Sequence, residues 1–207
     1  VTKLAGTALN VDVSAVAGAN LTASLAGGAT GTTDKLNINF NAKGTGAASL
    51  NAIVTTGTDT AAINSGGVKG VDVNAITSVT DTLNTMSSIT ITGANDFTLN
   101  DVTTNAAATT ASADVASSLT MIDGSAATGN LTIADANVTA DNKAGVGLTI
   151  KTGSGKDVIT LTNKATVNAG AGDDKIVVSA NGATVTGGEG KDSIDVSLAK
   201  YDAAKVI

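Results

Sequence analysis

Near the C-terminus one short phrase occurs three times in fixed register, and this limits the chain to folds that repeat a short backbone unit. The copies are Thr152-Gly153-Ser154-Gly155-Lys156-Asp157-Val158-Ile159, Ala169-Gly170-Ala171-Gly172-Asp173-Asp174-Lys175-Ile176 and Gly187-Gly188-Glu189-Gly190-Lys191-Asp192-Ser193-Ile194. Gly, Gly, Asp and Ile recur in each copy at offsets of 17 and then 18 residues. Each copy leads into an apolar residue that starts a strand. The half-repeats between them, Lys164 to Asn168 and Gly182 to Thr186, carry a strand-like apolar residue but no Gly-x-Gly-x-Asp. Glycine-aspartate loops are therefore expected along one edge only of a repeating β structure.

The residue types point to a hard cation. Glycine turns the backbone through positive φ and brings carbonyl oxygens inward without a Cβ in the way. Aspartate adds an anionic oxygen, and calcium takes six to eight oxygens at roughly 2.3–2.6 Å. Strands in neighbouring repeats lie about 4.8 Å apart, so Asp157, Asp174 and Asp192 are expected in a column. Two carboxylates about 5 Å apart repel by roughly 3 kcal/mol at an effective dielectric near 20. A cation between neighbouring loops reverses that sign. The expected ligands are Gly153, Gly155, Asp157, Gly170, Gly172, Asp174, Gly188, Gly190 and Asp192, holding two calcium ions between three loops. Asp173 beside Asp174, and Asp34 in the stretched phrase Gly27 to Leu36, are secondary candidates. Thr56-Gly57-Thr58-Asp59 is a fainter echo. All of these phrases have the plainer reading of turns, since Asp and Gly dominate turns in any case.

Composition narrows the function. The 207 residues contain no His, Cys, Trp or Arg, so every basic residue is Lys. That removes the common zinc sites and the Ser–His and Cys–His nucleophile pairs, and a non-enzyme is expected. A polysaccharide-degrading β-helix enzyme is disfavoured for want of aromatics and of paired carboxylates outside the metal loops. A net charge of −6 and three Phe and Tyr residues in all argue against nucleic acid. No apolar run is long enough to span a membrane. The chain opens on Val1 and reads as an internal piece of a longer protein. Apolar residues make up 42% and alternate with Thr, as half-buried strands require.

Such alternation marks Leu9 to Val13, Leu21 to Leu25, Leu36 to Phe40 and Leu148 to Ile150. Ile76, Val79, Leu83 and Met86 instead fall at helical spacing, which predicts a short helix or capping turn within 75–86. From residue 88 a longer unit repeats: Ser88 to Gly93 leads to Phe97 to Asp101, and Ser118 to Gly124 leads to Leu131 to Asp135. In it Gly124 reads as a turn, Thr103 to Ser112 as a projecting loop, and Asp101, Asp123 and Asp135 as solvated turn carboxylates. The expectation is an all-β chain: a β-rich part over 1–87, including irregular solenoid coils, then a parallel β-solenoid over 88–207 with a calcium roll at 152–195.

The triple phrase closely resembles the RTX family of calcium-binding β-rolls. The stretch Ser118 to Ile133, in its Thr- and Ala-rich setting, resembles bacterial surface-layer proteins of the Campylobacter and Caulobacter kind. Only Gly187-Gly188 keeps both leading glycines of the RTX phrase; Thr152 and Ala169 replace the first in the other copies. The resemblance implies a type I-secreted, extracellular subunit that self-assembles with copies of itself into a cell-surface lattice, with Ca2+ driving folding. It leaves contact with cell-surface polysaccharide to a region outside this chain. The alternative is an RTX β-roll stalk or carrier module of a secreted adhesin or hydrolase.

Overall fold

The computed structural model describes residues 2–3, 8–14, 18–25, 33–44, 46–104, 118–134, 147–197 and 205–206. Among these the chain is all-β, with two parallel sheets and no helix. The 10-stranded first sheet holds β1 (Thr2–Lys3), β3 (Ala19–Leu25), β5 (Ala47–Thr56), β7 (Val73–Asp81), β9 (Phe97–Leu99), β10 (Val102–Thr104), β12 (Leu131–Ala134), β14 (Val158–Leu161), β16 (Lys175–Val178) and β18 (Ser193–Val196). The 9-stranded second sheet holds β2 (Ala8–Val13), β4 (Lys35–Phe40), β6 (Thr60–Ser65), β8 (Ser88–Gly93), β11 (Met121–Ala127), β13 (Leu148–Lys151), β15 (Ala165–Asn168), β17 (Thr184–Thr186) and β19 (Lys205–Val206). Apart from β9 and β10, successive strands alternate between the sheets and each pairs with the strand of the same sheet one repeat away. This order is compatible with a parallel β-solenoid.

Alternation in sequence becomes alternation in burial. β4 buries Leu36, Ile38 and Phe40, and β6 buries Ala61, Ile63 and Ser65, while the residues between face outward. A one-residue slip would turn each apolar set to water, so register is strongly specified. The inward residues of both sheets form one apolar cluster, with Phe40 and Phe97 in tilted contact at 5.8 Å between ring centres. Outward asparagines add ladder bonds along the second sheet: Asn37 donates to Asn10 at 2.7 Å and Asn64 to Asn39 at 2.7 Å.

Both sheets pass the expected part boundary at 87/88 without a break, because β6 pairs with β8 and β7 with β9. No helix occupies 75–86. The spacing of three between Ile76 and Val79 is a break in the inward–outward alternation inside β7, matched in the neighbouring strand by Leu50 and Ile53. In the next repeat the same place is the gap between β9 and β10, from Leu99 to Val102. The second spacing belongs to a tight turn closed by Asp81, whose carboxylate accepts the N–H of Thr85 at 2.7 Å and of Met86 at 2.8 Å. Gly124 is likewise not a turn but lies inside β11, where the pairing with β8 slips between Asp123 and Ala126. Thr103 and Thr104 belong to β10; residues 105–112 lie outside the described residues, as do 27–32 and Asp135.

These placements separate Met86 from Leu83. Met86 is fully buried, whereas Leu83 is 55% exposed. Met86→Ala should cost about 2–5 kcal/mol in urea unfolding, and Leu83→Ala should stay within about 0.5 kcal/mol. Equal losses at the two positions would restore the helix.

Candidate metal centre

The three glycine-aspartate phrases occupy one kind of crossing, from the second sheet to the first, and so sit on one edge. Val158 pairs with Lys175 and Lys175 with Ser193, which puts Asp157, Asp174 and Asp192 in one file. The file is directional. Leu131 N–H donates to Asp157 Oδ1 at 2.7 Å, Asp157 N–H to Asp174 Oδ1 at 2.8 Å, and Asp174 N–H to Asp192 Oδ1 at 3.1 Å. Each carboxylate thus spends one oxygen on the backbone of the preceding repeat.

The other oxygen has no such use. Asp157 is 1% exposed and Asp174 2% exposed, and Oδ2 of each is buried without a hydrogen-bond partner. An orphaned anionic oxygen away from water is expensive. Burial accordingly pushes the Asp157 carboxyl above its usual range, opposed by the N–H of Leu131 and by the nearby Thr152 hydroxyl and Gly153 N–H, neither of which reaches hydrogen-bond geometry with Oδ2. Burial does the same at Asp174, where the N–H of Asp157 opposes it and the charges of Asp157, Asp192 and Asp173 add to it.

The glycines are packed backbone to backbone. Ala171 N–H donates to Gly153 O at 2.8 Å, Glu189 N–H to Gly170 O at 2.9 Å and Gly172 N–H to Glu189 O at 2.8 Å. A Cβ on Gly170 would overlap the Gly153 carbonyl oxygen, one on Gly172 that of Gly155, one on Gly188 that of Gly170 and one on Gly190 that of Gly172. Gly153 and Gly155 meet the carbonyls of Ala127 and Gly129 in the same way. Gly187 is required for another reason: a side chain there would strike Oδ2 of Asp192. In the first copy Thr152 stands at that place, and its hydroxyl donates to Ala169 O at 2.7 Å.

The secondary candidates lie elsewhere. Asp173 is exposed, its Oδ2 3.0 Å from Lys156 Nζ and its Oδ1 accepting Lys191 N–H at 3.1 Å. The Lys156 bond, with the Lys191 N–H, holds the Asp173 carboxyl below its usual range. It belongs to an outer file that the sequence reading missed, made of the residues just before the inner file: Asp96, Asn130, Lys156, Asp173 and Lys191. Asp96 Oδ1 accepts Asn130 N–H at 3.0 Å and Asn130 Oδ1 accepts Lys156 N–H at 2.7 Å. Its amides point the opposite way to those of the inner file, so the loops are clamped in both directions. The alternation of Lys and Asp at one offset was the available signal. Asp34 is buried at the opposite kind of crossing, before β4, where its N–H donates to Asp59 Oδ2 at 2.7 Å. It does not join the column. Asp123 is no free turn carboxylate: the hydroxyl and N–H of Ser125 bind its Oδ1 and hold its carboxyl below the usual range.

Among the described residues no group of three or more carboxylates converges on one point. The carboxylates succeed one another along the edge, so a cation between two of them must draw its remaining oxygens from backbone carbonyls. The residues fit that demand: the loops offer glycine carbonyls at close quarters, and two buried Oδ2 atoms have no other partner.

Two tests follow from this geometry. Gly172→Ala, at φ +134°, should cost about 3 kcal/mol or more through backbone strain and overpacking. Gly147→Ala, whose Cβ would enter open space, should be near neutral in the same thermal unfolding assay. The second test is pH. A carboxyl whose folded pKa is raised stabilises the fold below its unfolded pKa and loses that contribution as pH rises through the folded value. In chelator, Asp174→Asn should therefore melt higher than wild type at pH 7, with the difference shrinking as pH falls towards 4. A wild-type protein more stable than the variant at pH 7 without metal would contradict the burial argument.

No protein-family model, curated protein or solved structure matches the chain.

Proposed function

We propose that the chain is a structural module of a secreted cell-surface protein, a fragment of a surface-layer subunit in which calcium ties successive coils of a parallel β-solenoid together. The observation that carries this reading is the pair of buried, partnerless Oδ2 atoms on Asp157 and Asp174 in a file of three carboxylates. Calcium, when bound, supplies the hard divalent charge that such oxygens lack. Asp157, Asp174 and Asp192 provide the anionic ligands, and Gly153, Gly155, Gly170, Gly172, Gly188 and Gly190 allow the carbonyls to approach. With one ion between each pair of neighbouring loops, the chain takes two.

The binding energetics suit export. Calcium sites of extracellular modules commonly bind at about 10⁻⁴–10⁻³ M, and an ion at ten times its dissociation constant adds roughly 1.4 kcal/mol. The roll is then loose where calcium is scarce and locked outside the cell. A structural role agrees with the absence of His, Cys and Arg. Exposed valines before β7, Val68 and Val71, and at its first residue, Val73, are in keeping with a contact between copies. The stalk or carrier alternative shares the calcium chemistry and differs in not assembling with copies of itself.

Isothermal titration of metal-free protein should give two calcium ions per chain, and Asp174→Asn, which touches both sites, should remove most of the heat. Absence of heat, with identical circular dichroism in EGTA and in millimolar calcium, contradicts the reading. For the full-length protein, sheets in electron micrographs on calcium addition mark a lattice subunit, and persistent monomers mark a stalk.

A further inference from the structure

The inner file does not begin at Asp157. Asn74 pairs with Phe97, Phe97 pairs with Leu131, and Leu131 N–H reaches Asp157 Oδ1. Asn74, Phe97 and Leu131 therefore stand, coil by coil, where Asp157, Asp174 and Asp192 stand later. We propose that cation dependence is confined to the coils of residues 147–197, and that the earlier coils hold the same edge with side-chain amides and one buried carboxylate, as a metal-independent base on which the later coils assemble. The proposal rests on the calcium reading above.

Charge separates the two regions. Phe97 and Leu131 are buried apolar residues and bring nothing to neutralise. Asn74 is fully buried and donates Nδ2 to Ser65 Oγ and to Gly66 O, each at 2.9 Å, while Asn95 Nδ2 donates to the same Gly66 carbonyl at 2.8 Å. Two neutral amides thus occupy an edge carbonyl of the kind a cation would need. Oδ1 of Asn74 and of Asn95 lacks a partner too, but a neutral amide oxygen costs far less to bury than a carboxylate.

The one buried anion on this edge, Asp72, is fully used; Asp101 also keeps a buried Oδ1 without a partner, but it stands between β9 and β10 of the first sheet and not at this crossing. Asp72 accepts the N–H of Val68 at 2.6 Å, of Gly46 at 2.9 Å and of Gly44 at 3.0 Å. Those bonds, that of Val68 foremost, hold its carboxyl below the usual range. Asp157 and Asp174, in contrast, keep an oxygen with nothing to bind.

Strand length falls along the chain: β5 and β7 run for 10 and 9 residues and β4, β6 and β8 for 6 each, β9 and β12 already have only 3 and 4, and β13, β14, β15, β16 and β18 have 4. Shorter strands bury less apolar surface per coil, so the later coils have less to set against two uncompensated carboxylates. The Leu131 amide, offered by the last cation-independent coil, is the first donor of the file. Each later carboxylate needs the preceding coil in place before its Oδ1 has a partner, so the roll orders from residue 131 towards 192.

Hydrogen exchange by mass spectrometry on the whole chain tests this. In EGTA, peptides within 147–197 should exchange roughly a hundredfold faster than in millimolar calcium, the combined effect of two ions at about ten times their dissociation constants. Peptides within 33–104 should change by less than about twofold. Asn95→Ala should accelerate exchange in 66–97 equally with and without calcium. The proposal is overturned if 33–104 loses protection in step with 147–197, or if 147–197 stays protected in EGTA while titration still reports two bound ions. Loss of the calcium heat itself would instead remove the reading on which the proposal stands.

Discussion

A carboxylate buried with only one of its oxygens bonded is the constraint on which the C-terminal third of this molecule depends. Asp157 and Asp174 lie in the wall between two parallel sheets, each giving Oδ1 to a backbone amide of the preceding repeat and leaving Oδ2 with no partner. Stacking brings such groups together by geometry, because identical residues in successive repeats must fall in one file. Like charges a strand spacing apart then repel. The same stacking that makes the ladder makes the problem, and a divalent cation or a proton solves it.

Glycine determines how close the solution can lie. Around the phrases the backbones of adjacent loops touch, and a methyl group at Gly170, Gly172, Gly188 or Gly190 would occupy the place of a neighbouring carbonyl. The loops are thus packed as sheets are, by main chain, with side chains excluded from the contact. The outer file of Asp96, Asn130, Lys156, Asp173 and Lys191 closes the edge against solvent with amide bonds and one exposed ion pair. An exposed pair of this kind adds little stability. Its value is in register, since only a fixed offset lets Lys156 meet Asp173.

Much of the fold was legible because its period is short. Apolar residues alternating with Thr and Asn gave β2, β3, β4 and β13, and the recurring phrase placed its three copies on one edge. What misled was spacing without context. Ile76 and Val79 stand three apart because the inward–outward alternation of one strand breaks between them, and Met86 follows from a turn held by Asp81, so a helical period arose with no helix. Gly124 looked like a turn because glycine usually is, yet it absorbs a register slip inside β11. The column of Asp157, Asp174 and Asp192 could be read from offsets alone. The contrast between Asp174, turned inward, and its neighbour Asp173, turned outward to Lys156, could not, because the two sit in the loop before β16 and the phrase does not say which of them faces in. Asn74 and Asn95 were invisible for a similar reason: their partners are backbone carbonyls brought near only by the sheets.

The central claim, that divalent cations bridge successive repeats at Asp157, Asp174 and Asp192, is tested most directly by anomalous scattering from crystals grown in calcium. The account predicts two peaks on this edge, one between each pair of neighbouring loops, with Oδ2 of Asp157 and of Asp174 at about 2.3–2.6 Å from an ion. A map with these carboxylates ordered as here and no anomalous density beside them would contradict it, leaving protonation as the way their burial is tolerated.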